Sequence, residues 1–269
     1  MSRPLITFLS DYGLEDDFVG VCHGVIAGIC PGARVIDLSH GVARHDVRQG
    51  AVLLRGALPF MPVGVHLAVV DPDVGAERRA VALSLADERI MVGPDNGLLW
   101  LAAVEAGGIV EAIDIAHSPF RLEPVSATFH GRDLFAPVAA RLASGVPLAE
   151  AGVPCDPDGV VRIELPTARI EHGAVLAHAV YIDRFGNVQL DAGHAQLAGT
   201  GLKLGHRVEL ALGSRSVSAH YARTFADVAE GELLIYEDAY RTLAVAVSHG
   251  SAAERLGVRL DDELRIRPA

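Results

Sequence analysis

A chain of 269 residues with 50% hydrophobic and 21% charged residues has room for one large or two smaller globular domains. Its formal net charge of −11 argues against a phosphate-backbone binder, which needs clustered Lys and Arg, so no nucleic-acid partner is expected. No apolar run of about 18 residues is present, and Asp11, Glu15, Asp16 and Asp17 interrupt the N-terminal stretch, so a cytoplasmic protein without membrane contact is expected.

Up to about residue 145 the pattern alternates strand and helix, as in a mainly parallel sheet with helices on its faces. The run Ile6-Thr7-Phe8-Leu9 reads as a strand, and residues 20–29 as a helix stopped by Pro31-Gly32. Val35-Ile36-Asp37-Leu38 is a second strand, followed by a helix over 47–58 stopped by Pro59. The apolar run 65–70 reads as a buried strand, and 81–85 and 90–92 as two more. Gly93-Pro94-Asp95-Asn96-Gly97 is a turn before a helix at 98–104. A strand at 109–115 and a helix at 133–142 complete this half. Cys22, Cys30 and Cys155 have no metal-ligand spacing and read as reduced packing residues.

Prolines 147, 154, 157 and 166 break any long element between 144 and 172, which reads as a linker with a short strand or two. Beyond Gly173 short β runs at 174–182, 188–190, 207–212, 216–220, 232–236 and 242–247 predict an antiparallel sheet or small barrel. The expected class is therefore α/β, with an N-terminal domain over 1–165 and a smaller C-terminal β domain over 166–269.

Three strands end in ionisable groups: Asp11 after the first, His40 after the second and Asp71 after the third. Ligands of parallel α/β sheets bind at such strand mouths. Asp11 could accept from vicinal ribose hydroxyls or simply cap the next helix. Asp71 and Arg78 flank a Pro-Asp-Val-Gly turn that could fold one onto the other, although a surface ion pair is the commoner outcome. His130, at the entrance to a helix, could exchange protons near neutral pH. Other histidines, among them His66 and His249, read as ordinary polar surface residues. In Asp183-Arg184-Phe185-Gly186-Asn187 the acid and amide could face a ligand across a bulge, but a hairpin turn is the commoner use of these residues.

Taken together, Leu9-Ser10-Asp11-Tyr12-Gly13, Val70-Asp71-Pro72 with Val74-Gly75 and Arg78, Gly93-Pro94-Asp95-Asn96-Gly97, Thr128-Phe129-His130-Gly131-Arg132-Asp133, Ile182-Asp183-Arg184-Phe185-Gly186-Asn187, Thr224-Phe225-Ala226-Asp227-Val228 and Gly250-Ser251-Ala252-Ala253 resemble the S-adenosylmethionine hydroxide adenosyltransferase family, which is related to fluorinating and chlorinating enzymes. The resemblance runs in order along nearly the whole chain. It implies hydrolysis of S-adenosylmethionine to adenosine and methionine by attack of an activated water at C5′, with no cofactor and no metal. It implies that Asp71, Arg78 and His130 hold and activate the water, that Asp11 binds the ribose, Asp183 the methionine ammonium and Asn187 the adenine, and that Phe129 and Phe225 wall the substrate. It also implies a homotrimer with sites between the first domain of one subunit and the second domain of its neighbour.

Some positions depart from the family pattern. Asp73 stands where Gly is expected, and Ser10 where Thr is commoner. Residues 237–242 differ from the stretch that would bind the methionine carboxylate, leaving Tyr240 and Arg241 as substitutes. Halogenating relatives carry Ser at the position of Gly131 and lack the Asp/Arg/His set, so water is the expected nucleophile here. Three alternatives are a halide adenosyltransferase, a nucleoside or S-adenosylmethionine sensor that binds without turnover, and a metal hydrolase using Asp11, Asp71, Asp73, Asp95 and His130.

Overall fold

A computed structural model describes residues 3–197 and 200–269. Two compact units are present, Met1–Ile163 and Glu164–Ala269. In the first, β1 (Leu5–Ser10), β2 (Arg34–Ser39), β3 (Val65–Val69), β4 (Ala80–Leu85), β5 (Ile90–Pro94), β6 (Ile109–Asp114) and β7 (Val153–Cys155) form one sheet in the order β2-β1-β3-β5-β4-β6-β7. Strands β2, β1, β3 and β5 run parallel, whereas β4, β6 and β7 pair antiparallel. Only residues 86–89 separate β4 from β5, too short a link for the crossover that a parallel pair requires. The sheet is therefore parallel in the half that carries Asp11, His40 and Asp71.

Helices cover both faces. Helix α1 (Phe18–Ile29) and α4 (Ala136–Ala143) pack with Ile6, Phe8, Leu67 and Val69 on one side, while α2 (Val47–Ala57) and α3 (Trp100–Glu105) pack with Leu9, Ala68 and Val70 on the other. The alternation along β1 and β3 follows the two-residue period of a strand. The helix expected to stop at Pro59 instead passes into a 3₁₀ turn, Leu58–Phe60. Proline is tolerated at the first turn because its missing N–H would have no helical partner there. The helix expected from Asp133 begins at Gly131, with a π-helical turn over Gly131–Phe135 leading into α4. Cys22 and Cys30 lie in the core, and burial pushes the Cys22 thiol up to about 12, which makes it inert.

His66 corrects the expectation of a surface histidine: it is 0% exposed on β3, with Nδ1 2.9 Å from Thr7 Oγ1. Burial, reinforced by Arg89, pushes its pKa down to about 4. The unfolded chain takes up this proton near pH 6.5, the folded chain only near 4, so stability is lost as pH falls through that window. The loss is expected to reach up to ~3 kcal/mol by pH 4. Urea midpoints between pH 7.5 and 4.5 measure it. The double variant Thr7→Val/His66→Leu, which removes both polar partners, should flatten the slope.

The second unit is a closed barrel. Strands β9 (Ala174–Ile182), β10 (Val188–Gly193), β11 (Arg207–Leu212), β12 (Arg215–Tyr221), β13 (Leu233–Glu237), β14 (Thr242–Val247) and β15 (Glu263–Pro268) form the ring β10-β14-β13-β12-β11-β15-β9, and β9 closes it onto β10. The short β8 (Arg169–Glu171) adds to β9 from outside. All ring pairs are antiparallel except β12 with β13. Strand β15 is absent from the sequence reading although Leu264 and Ile266 are buried at the two-residue strand spacing. Its intervening Arg residues and terminal proline conceal an element that closes the core.

Candidate active site

Because β1, β2 and β3 are parallel neighbours, their C-terminal ends share one edge, with Ser10 opposite Val69 and Leu9 opposite Ser39. Asp71 follows β3, and the turn after it brings Arg78 back. Arg78 Nε donates to Asp71 Oδ1 at 2.8 Å, and Nη2 donates to Oδ2. Both side chains are nearly buried, Asp71 at 5% exposure and Arg78 at 10%, so this is a desolvated bidentate pair rather than a surface bridge. The turn needs Gly75: its φ is +84°, and a Cβ there would lie 2.5 Å from the carbonyl oxygen of Ala127.

His130 joins the pair. Its Nδ1 is 3.0 Å from Arg78 Nη2. A guanidinium has no acceptor, so Nδ1 must be unprotonated and the neutral ring carries its proton on Nε2. Burial, then the Arg78 charge, hold the His130 pKa below its ordinary value, against opposing pulls from Asp71 and Asp133. Asp133 steadies the loop before His130: Oδ2 accepts from the Ser126 amide at 2.8 Å, and Arg132 pairs with the same carboxylate. Asp133 is a positioning residue that the sequence reading placed only as a helix start.

Aromatic side chains wall this region. Phe129 meets Tyr12 and Phe18 edge to face at 5.9 and 5.1 Å, and Arg132 stacks over its ring at 5.2 Å. Gly131 lets Tyr12 approach: a Cβ at 131 would overlap the Tyr12 hydroxyl and lie 3.0 Å from its Cζ. Tyr12 holds its phenol proton well above the usual range, chiefly through burial. Asp11 Oδ2 accepts from the His45 amide at 2.9 Å, which fixes the carboxylate at the strand edge.

In the second unit Asp183, Phe185, Asn187, Phe225, Tyr236, Val247, His249 and Gly250 line a cavity of about 600 Å³. Asp183, Asn187 and Phe225 were candidates from sequence; Phe185, Tyr236 and His249 were not. Asp183 Oδ1 accepts from the amides of Phe185 and Asn187 at 2.8 and 2.9 Å, and Oδ2 accepts from Asn187 Nδ2 at 2.8 Å. The carboxylate therefore shapes the turn while retaining acceptor capacity toward the cavity. Asp183→Ala is expected to destabilise this turn by about 1–3 kcal/mol, read in a denaturant titration, whereas Asp183→Asn should lose less.

Tyr240 and Arg241 do not line this cavity. Arg241 sits in a left-handed turn at φ 64° with its side chain 87% exposed, 3.4 Å from Glu237. Asp238 organises that turn, accepting from the amides of Tyr240 and Thr242 at 2.8 and 3.0 Å. Among the described residues, no three of Asp11, Asp71, Asp73, Asp95 and His130 bring ligand atoms within 4.8 Å of one another, as the metal-hydrolase alternative requires. Asp95 is 6% exposed and is bonded by Arg79 and by the Val161 amide at 2.8 Å each. Asp73 is exposed in its turn.

Sequence comparisons identify a family. The SAM hydroxide adenosyltransferase N-terminal domain matches residues 6–152, and the C-terminal domain of the same name matches 177–265. A protein of Salinispora tropica named (R)-S-adenosyl-L-methionine hydrolase is 49% identical, covering 98% of this chain and 97% of its own. One of the same name from Thermus thermophilus is 39% identical over 96% of each. A fluorinase of Actinoplanes is 30% identical over 91% of each. A crystal structure of an uncharacterised conserved protein from Thermotoga maritima superposes with a TM-score of 0.91 at 35% identity, covering 97% of this chain and 99% of that one. Both domain models and the near-full-length relatives place the chain in the SAM hydroxide adenosyltransferase family.

Proposed function

We propose that this enzyme hydrolyses S-adenosyl-L-methionine to adenosine and L-methionine, acting on the (R) sulfonium epimer named in its hydrolase relatives. The observation that carries this is the Asp71–Arg78–His130 set, with its acid and guanidinium nearly buried and its imidazole partly exposed, in a chain nearly half identical to a named hydrolase throughout its length. Water attacks C5′ in line with the C5′–S bond. As the O–C5′ bond forms, the C5′–S bond breaks, its electron pair returns to sulfur, and the water proton passes to Asp71. Arg78 stabilises hydroxide character, and the Nε2–H of His130 orients the oxygen. The sulfonium is already a good leaving group, so no cofactor and no catalytic metal is needed. Opposite charges merge in the transition state, and a site of low dielectric favours that. Alignment of water with the C5′–S axis can supply roughly 7–11 kcal/mol.

Asp11 would take the ribose hydroxyls, Asp183 the ammonium and Asn187 the adenine, with Phe129 and Phe225 as walls. The cavity of about 600 Å³ beside Asp183, Asn187 and Phe225 has the size of a small-molecule site. A cytoplasmic homotrimer belongs to the same proposal, and light scattering measures its mass. Among the described residues, no helix is long and apolar enough to cross a membrane.

The test is incubation with each resolved sulfonium epimer in ¹⁸O-labelled water containing a chelator, with mass spectrometry of the products. Adenosine labelled at the 5′ hydroxyl, formed faster from the (R) epimer, is the expected result. Intact substrate after long incubation would make the protein a sensor, and 5′-chloroadenosine in chloride would make it a halide adenosyltransferase. The pH profile adds a second check. With the His130 pKa held low by burial and Arg78, neutral His130 persists below its ordinary titration range. The acid limb of kcat/KM is therefore expected below pH 6.5, with no His inflection between about 6.5 and 7.

A further inference from the structure

His40 belongs to the same strand edge as Asp11 and Asp71, yet it takes no part in the set built around Arg78. Its side chain is 3% exposed, and its Nε2 has no hydrogen-bond partner. That nitrogen lies 3.1 Å from Asp37 Oδ1 without hydrogen-bond geometry, and the same oxygen is 2.9 Å from Nε2 of His23 on α1. All three donor atoms fall within 4.8 Å of one another. A buried imidazole nitrogen without a partner normally carries a free-energy cost. Here it stands beside, but is not directed at, a carboxylate oxygen that a second imidazole already contacts.

We infer that His23, Asp37 and His40 form a binding site for a divalent transition-metal ion of the zinc type. Zinc–nitrogen and zinc–oxygen bonds of about 2.0–2.1 Å in a tetrahedron set neighbouring donors roughly 3.3 Å apart. The observed spacings of 2.9 and 3.1 Å about Asp37 Oδ1 open to that with a shift of a few tenths of an ångström. Ser10 Oγ lies 2.7 Å from His40 Nδ1 and can accept its proton, leaving Nε2 as the free ligand. This is the outer support common at metal-bound histidines. The Phe8 ring packs on both imidazoles, edge to face against His40 at 4.7 Å and tilted against His23 at 6.2 Å, so the rings are held before an ion arrives. His23 and Asp37 are 35% and 42% exposed, which provides an entry path and a fourth position for water. Two imidazoles select against Mg²⁺ and Ca²⁺, which favour all-oxygen shells.

The ion would staple α1 to the end of β2. It would also hold the segment in which the His40 carbonyl accepts from the Gly13 amide at 2.8 Å and the His45 amide supports Asp11. The site is separate from the Asp71–Arg78–His130 set, and its test does not depend on the proposed reaction.

The experiment uses tag-free, chelator-stripped full-length protein titrated with Zn²⁺ by calorimetry, and with Co²⁺ by visible d–d absorption. One ion per chain is expected, with tetrahedral-type Co²⁺ intensity that Zn²⁺ abolishes. His23→Ala and Asp37→Asn, both at partly exposed positions, are each expected to weaken binding by about 100-fold or more. His172→Asn, at an exposed turn residue with φ 50°, should leave it unchanged. His40→Ala is not needed, since loss of a buried side chain could unfold the unit. Absence of stoichiometric binding, or binding unaltered in both His23→Ala and Asp37→Asn, would overturn the assignment.

Discussion

Asp71→Asn is expected to lower kcat by about 10³-fold, inside the 10²–10⁴ range typical of general-base loss, while KM changes little. The amide keeps one acceptor for Arg78 but turns an NH₂ toward another N–H donor and abolishes the base. Because Arg78 is only 10% exposed, the half-broken pair also costs stability, about 1–3 kcal/mol for a buried donor left without its acceptor. Arg78→Lys separates the two effects. Lysine keeps the positive charge but cannot make the fork to Asp71 together with the 3.0 Å contact to His130. It is expected to fold and still lose at least about 10²-fold in kcat. Wild-type turnover in a folded Asp71→Asn protein would remove Asp71 from the role of base.

Gly131→Ser is expected to destabilise the first unit without conferring halide chemistry. The new Cβ would overlap the Tyr12 hydroxyl, and the Tyr12 ring cannot retreat freely because Phe8, Phe18 and Phe129 surround it at 6.3, 5.9 and 5.9 Å. Overpacking of a filled site costs about 1–3 kcal/mol, and an overlap this deep belongs at the upper end. For a protein of this size that lowers the thermal midpoint by roughly 2–4 °C per kcal/mol. Tyr12→Phe removes the closest overlapping atom, so the Gly131→Ser/Tyr12→Phe double variant should recover part of the loss. The Asp71–Arg78–His130 set persists in both, so adenosine should remain the product in chloride. A Gly131→Ser protein as stable as the parent and forming 5′-chloroadenosine would refute both parts.

Several features were legible because they are local. The continuous apolar runs of β1 and β3 carried the parallel core, and Pro31-Gly32 marked the end of α1. Asp71 and Arg78 are seven residues apart around Gly75, so their pairing was within reach of turn chemistry. Cys22 and Cys30 read as packing residues and lie in the core. Other features were hidden because they depend on partners distant in the chain. His66 looked like a surface histidine until β1 brought Thr7 against it. The antiparallel half of the sheet and the closing strand β15 depend on which strands meet.

Local pattern was enough for the strand edge that carries Asp11 and Asp71, the two-part organisation in residue order and the family resemblance. Each rests on patterns within a few residues or on motifs kept in order. Packing of distant segments, by contrast, set Arg78 to donate to His130 and fix its neutral tautomer, placed Tyr12 in the space beside Gly131, and put His40 beside Asp37 and His23 rather than in the Arg78 set. Those outcomes depend on desolvation and donor direction across separations such as the 52 residues between Arg78 and His130, and no local periodicity encodes them.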